Sequence, residues 1–60
     1  MEKWEAKAIL QDVCDKLLQS NENLSVYKNT EFCKNEDTIN KIIDSITKNI
    51  EQLDDIIDSD

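Results

Sequence analysis

The sequence predicts an all-α fold: an antiparallel two-helix hairpin with an ordered connecting loop, dimerising into a four-helix bundle. Three observations point there. Residues 39–57 carry Ile39, Ile43, Ile46, Ile50, Leu53 and Ile57 at alternating spacings of four and three, a heptad seam with Ile43, Ile50 and Ile57 at a and Ile39, Ile46 and Leu53 at d. An earlier run, Ala6, Leu10, Val13 and Leu17, repeats the same alternation. The chain also contains no Gly and no Pro, which turn-rich β folds need at their corners.

Helix 1 is expected over residues 2–19, with Ile9, Cys14 and Leu18 broadening its apolar face. Asp12 and Lys16 stand four apart in the favourable acid-first order on the solvated side. Trp4 falls off this stripe, beside Gln11 and Asp15 on an ideal helix. It either folds back over the core from a bent first turn or stands out as an aromatic anchor, a residue type that dominates many binding energies.

Residues 20–34 read as the connection, because Ser20, Asn21, Asn23, Ser25, Asn29 and Thr30 offer side chains that compete with helical backbone bonds. Leu24, Val26, Tyr27, Phe32 and Cys33 are apolar enough to fold beneath the helix pair as a lid, or for Tyr27 and Phe32 to join a binding surface. Helix 2 is expected over 35–58, capped by Asn35, with Glu36 and Asp37 in the first turn where the macrodipole favours acids. Ile42 and Ile56 widen its stripe at g. Its last turns hold Glu51, Asp54, Asp55, Asp58 and Asp60 with no base, the reverse of what the dipole favours.

Sixty residues make one small domain. A chain of this size buries only about 60% of the surface its unfolded form exposes, so a partner is expected to complete the core. Isoleucine at both a and d favours higher associations, and a lone hairpin leaves part of each wide stripe open, hence the dimer whose interface is the six-residue Ile39 to Ile57 stripe.

A net charge of −7 argues against a direct grip on nucleic acid or an anionic membrane and suits a basic protein surface. Without His, the Ser-His-Asp and Cys-His arrangements are excluded, and two cysteines cannot complete a zinc site. Cys14 and Cys33 are expected as reduced thiols. The acidic cluster lacks the Gly and the Asp/Asn alternation of a calcium loop. The expectation is therefore a non-enzymatic, cofactor-free, metal-free protein, and, with no apolar leader after Met1, a cytoplasmic one.

Small size, acidity and an Ile-, Lys- and Asn-rich composition look like the small inhibitors carried by phages and mobile elements, including anti-defence proteins. On that reading the chain is an acidic module that regulates or inhibits a larger, basic, nucleic-acid-handling protein. Trp4, Tyr27, Glu51, Asp54, Asp55 and Asp58 are the expected partner-binding residues. The alternative is a structural subunit of a helical complex that uses the Ile stripe as its interface.

Overall fold

A computed structural model describes residues 1–59. Two helices account for most of them: α1, Lys3–Lys28, and α2, Glu36–Asp58, packed against each other, with no strand among the described residues. Cross-helix bonds give the direction. Lys28 Nζ donates to Asn40 Oδ1 at 3.0 Å, Asn21 Nδ2 to Thr47 Oγ1 at 3.1 Å, and the Cys14 thiol approaches Asp54 Oδ1 at 4.0 Å. As the α1 number falls the α2 number rises, so the helices are antiparallel. The rod they form measures 46 × 14 × 12 Å between Cα extremes.

Helix α2 lies where the spacing predicts. All six stripe residues are half-buried, on one face, with the charges elsewhere. Helix α1 differs from expectation in length and in phase. It runs to Lys28, not 19, and the connection shrinks to residues 29–35. Its inward row is Lys7, Leu10, Cys14, Leu17, Asn21, Leu24 and Lys28, spaced three and four throughout, so that Lys7, Cys14, Asn21 and Lys28 hold a and Leu10, Leu17 and Leu24 hold d. Ala6 and Val13 move from the seam to its edge.

The reason is Asn21. Its amide does not turn back on its own helix, the behaviour that makes Asn a helix breaker; it reaches across to Thr47 and, at 3.4 Å, to the Ile43 carbonyl. Thr47 Oγ1 donates to that same carbonyl at 3.0 Å, so it accepts from Asn21. With no Gly or Pro to stop it, tertiary packing carries the helix through the Asn- and Ser-rich stretch.

The first turn of α1 is regular: the Glu2 backbone N–H donates to the Glu5 carboxylate at 3.1 Å, and the Glu2 carbonyl accepts from Glu5 and Ala6. The helix ends where the Thr30 hydroxyl and N–H both donate to the Tyr27 carbonyl. Tyr27 then staples the connection, its hydroxyl donating to the Phe32 carbonyl at 3.3 Å and accepting from the Lys34 N–H at 3.1 Å. Asn35 precedes α2 as expected but makes no side-chain cap bond. It is left-handed, φ 57° and ψ 54°, a conformation Asn tolerates better than most residues and one that redirects the chain into α2.

No lid forms. Leu24 joins the seam, Val26 points outward, Phe32 is exposed, and Cys33 alone of the connection's apolar residues is half-buried. Cys14, at 1% exposure, is the one fully buried residue among those described.

Asn21 Oδ1 is buried without a hydrogen-bond partner, a cost of roughly 1–3 kcal/mol. Replacing Asn21 with Leu removes that cost along with the register-setting bonds. The variant is expected to raise the urea unfolding free energy by about 1 kcal/mol while multiplying the α2 resonances in an NMR spectrum as registers mix; a single sharp set would show that the seam needs no polar pin.

Candidate partner-binding surfaces

Two surfaces emerge, on opposite flanks of the rod. In an antiparallel pair of right-handed helices the e positions of both lie along one side of the seam and the g positions along the other. The e side carries Trp4, Gln11, Leu18 and Ser25 from α1 with Asn40, Thr47 and Asp54 from α2. The g side carries Ala6, Val13, Ser20 and Tyr27 with Ile42, Asn49 and Ile56.

The antiparallel arrangement brings the start of α1 to the end of α2. Trp4 therefore shares an end of the rod with the closing acids, and it shares the e flank with Asp54; Glu51 and Asp58 lie next to that flank and Asp55 on the outer face. Trp4 is 70% exposed. The folded-back alternative does not occur, because the Glu2–Glu5 bond holds the first turn in helical form.

Glu51, Asp54, Asp55 and Asp58 are all exposed, and the last turn of α2 holds no base. Ser59 supplies the missing terminal bonds, its N–H donating to the Asp55 carbonyl at 3.0 Å and its hydroxyl to the Ile56 carbonyl at 2.8 Å. The helix end is closed without neutralising its acids. Asp60, the fifth acid of this run, lies outside the described residues.

Tyr27 stands at the opposite end of the rod, on the g side, with its hydroxyl committed to the connection. Of the six expected partner-binding residues, the fold places Trp4 toward the same end as Asp54, Asp55 and Asp58, leaves Glu51 level with Leu17 nearer the middle of the rod, and puts Tyr27 at the other end. The stripe expected as an oligomer interface, Ile39, Ile43, Ile46, Ile50, Leu53 and Ile57, faces α1, and each residue keeps some exposure.

The g side is the surface that apolar counting underrated. Val13, Ile42 and Ile56 are 39%, 41% and 54% exposed, and Ile9 continues the patch near the open end. The stronger signal is the absence of charge. Along α2 the lane Thr38, Ile42, Ser45, Asn49, Gln52, Ile56 and Ser59, spaced four and three, holds no ionisable residue in a chain where they are frequent. The matching lane of α1, Ala6, Ile9, Val13, Lys16, Ser20, Asn23 and Tyr27, holds one charged side chain, and Lys16 is turned to Asp12 at 2.8 Å.

No pocket opens and no cluster of three metal-ligating side chains forms among the described residues. No helix among them is long and apolar enough to cross a membrane. Both cysteines are free thiols. Burial raises the Cys14 thiol above its ordinary pKa, and the nearby Asp54 and Asp15 carboxylates push the same way.

That shift has a sign. A thiol whose folded pKa exceeds its unfolded one adds stability that is fully present below the unfolded pKa and lost as pH rises through the folded one. The melting temperature is expected to fall on the alkaline side of the thiol range, with the Cys14 part of that fall absent from Cys14→Ala. In native protein at neutral pH, iodoacetamide should label Cys33 readily and Cys14 only on unfolding; equal rates would contradict the buried position. Trp4→Ala should leave the unfolding free energy within about 0.5 kcal/mol, as expected for a residue outside the core.

No protein-family model, curated protein or solved structure matches the chain, so the reading of these surfaces rests on their own chemistry.

Proposed function

We propose that this chain is a non-enzymatic, acidic protein-binding module that regulates or inhibits a larger partner by occupying a basic, nucleic-acid-handling surface. The observation that carries this reading is the exposed Trp4 indole toward the same end of the rod as Asp54, Asp55 and Asp58, with Glu51 continuing the acids along α2 and no base in its closing turn. An aromatic side chain contributes most of the affinity when it fills a pocket, and surrounding charges set approach rate and orientation. The acids complement a basic groove, and Trp4 is the anchor beside them.

A second reading has its own observation in its favour. The exposed Val13, Ile42 and Ile56 flank suits a structural subunit in which hairpins pair into a four-helix bundle. The interface then lies on that flank more than on the Ile39 to Ile57 stripe, which α1 already faces.

The test is a partner recovered by the tagged chain from its host and then titrated with purified chain. Affinity should weaken as salt rises. Asp54→Asn with Asp58→Asn should cost about tenfold at low salt, and Trp4→Ala about tenfold or more at every salt concentration. Affinity indifferent to salt and to these changes, yet abolished by Ile56→Lys, would favour the structural subunit instead.

A further inference from the structure

We propose, resting on the bundle reading, that the second hairpin is another copy of this chain, docked antiparallel on the uncharged g flank with its two-fold axis at the level of Asn49. Three features of the rod support this occupant and this orientation.

The first is charge. A molecule of net charge −7 meets its own copy at low electrostatic cost only where its charges are absent, and the g flank is the lane from which they are missing. The two ends also differ. Toward the open end Glu2, Glu5, Asp54, Asp55 and Asp58 outnumber Lys3 and Lys7, whereas near the connection Lys28, Lys34 and Lys41 offset Glu31, Glu36 and Asp37. An antiparallel pair sets each net-acidic end beside one whose charges balance; a parallel pair would set the two net-acidic ends together.

The second is internal symmetry. Ile42 and Ile56 lie equally far from Asn49 along α2. The Asn21–Thr47 and Lys28–Asn40 bonds set the level of α1 against α2, placing Val13 near Ile56, Tyr27 near Ile42 and Ser20 near Asn49. The flank is therefore two apolar patches about an uncharged polar centre. A two-fold at that centre lays each patch on the other copy's opposite patch. At the axis Asn49 meets its own copy, and an amide, both donor and acceptor, is self-complementary.

The third is area. The chain exposes 4747 Å², against about 4,000 Å² expected for a compact protein of its mass. The excess is close to the roughly 800 Å² that each partner contributes to a standard stable interface.

Light scattering of the intact chain over a concentration series, with circular dichroism on each variant, tests this. The expected mass is about 14 kDa, twice the 7.0 kDa chain. Ile56→Lys should return it to the single-chain mass with helicity retained. Should that variant lose its helices, Asn49→Asp, at an exposed position, places two like charges on the axis and should halve the mass by itself. For orientation, a tagged Ile42→Cys chain is oxidised together with an untagged Ile56→Cys chain, both in a Cys33→Ser background, and the mixed disulfide should predominate. A single-chain mass for the wild type at every concentration would overturn both the bundle and this arrangement. A wild-type dimer unaffected by both folded variants, or one giving only like-with-like disulfides, would overturn the proposed face or orientation and leave the bundle standing.

Discussion

The structure depends on a seam with one helix on each side and little beneath it. Ile43, Ile50 and Ile57 lie level with Leu24, Leu17 and Leu10, but Ile39, Ile46 and Leu53 lie level with Lys28, Asn21 and Cys14, two of which are polar, and Lys7 continues that α1 row past the end of α2. The lysine stems can cover apolar surface while their ammonium groups reach outward, as Lys28 does toward Asn40. They do not close the seam. Hence Cys14 alone among the described residues is fully buried, and every isoleucine of the stripe remains partly open. Two helices touch along one line, and whatever lies on either side of that line is left to solvent or to a partner.

What lies on either side is chemically sorted. On one flank are Trp4 and Asp54, with Glu51 and Asp58 next to them; on the other is an uncharged lane with isoleucine near each end. The sorting follows from the antiparallel pairing, which aligns e with e and g with g so that residues distant in sequence share a surface. Asn21 and Thr47 hold that alignment, and the orphaned Asn21 Oδ1 is its energetic cost. A polar pin of this kind trades stability for a defined register, the quantity on which both flanks depend.

Much of this was legible in the sequence, and the misreadings share a cause. Helix α2 announces itself because its apolar period, first-turn acids and separate charged face all agree. Helix α1 is ambiguous, since Ile9, Val13, Leu18 and Val26 scatter apolar character around it and two phases fit its first half equally well. Asn21 decides the phase, and nothing local distinguishes an Asn that breaks a helix from one that bonds across to a neighbour. Tyr27 was legible as an aromatic residue in the right region, but its hydroxyl's place between Phe32 and Lys34 depends on the path of the connection. The gathering of Trp4 with Asp54 and Asp58 required only the hairpin's direction. The uncharged lane is written in the sequence as missing charge at four-three spacing, a fainter signal than the apolar period beside it.

The central claim is that a single hairpin does not complete its own core. The most direct measurement is the thermal midpoint of the purified chain, followed by the circular dichroism of its helices, as a function of chain concentration. Association that adds to the stability of the helical hairpin predicts a midpoint that rises steadily with concentration. A midpoint independent of concentration, with a cooperative transition, would show that the seam between α1 and α2 suffices by itself and would contradict the account.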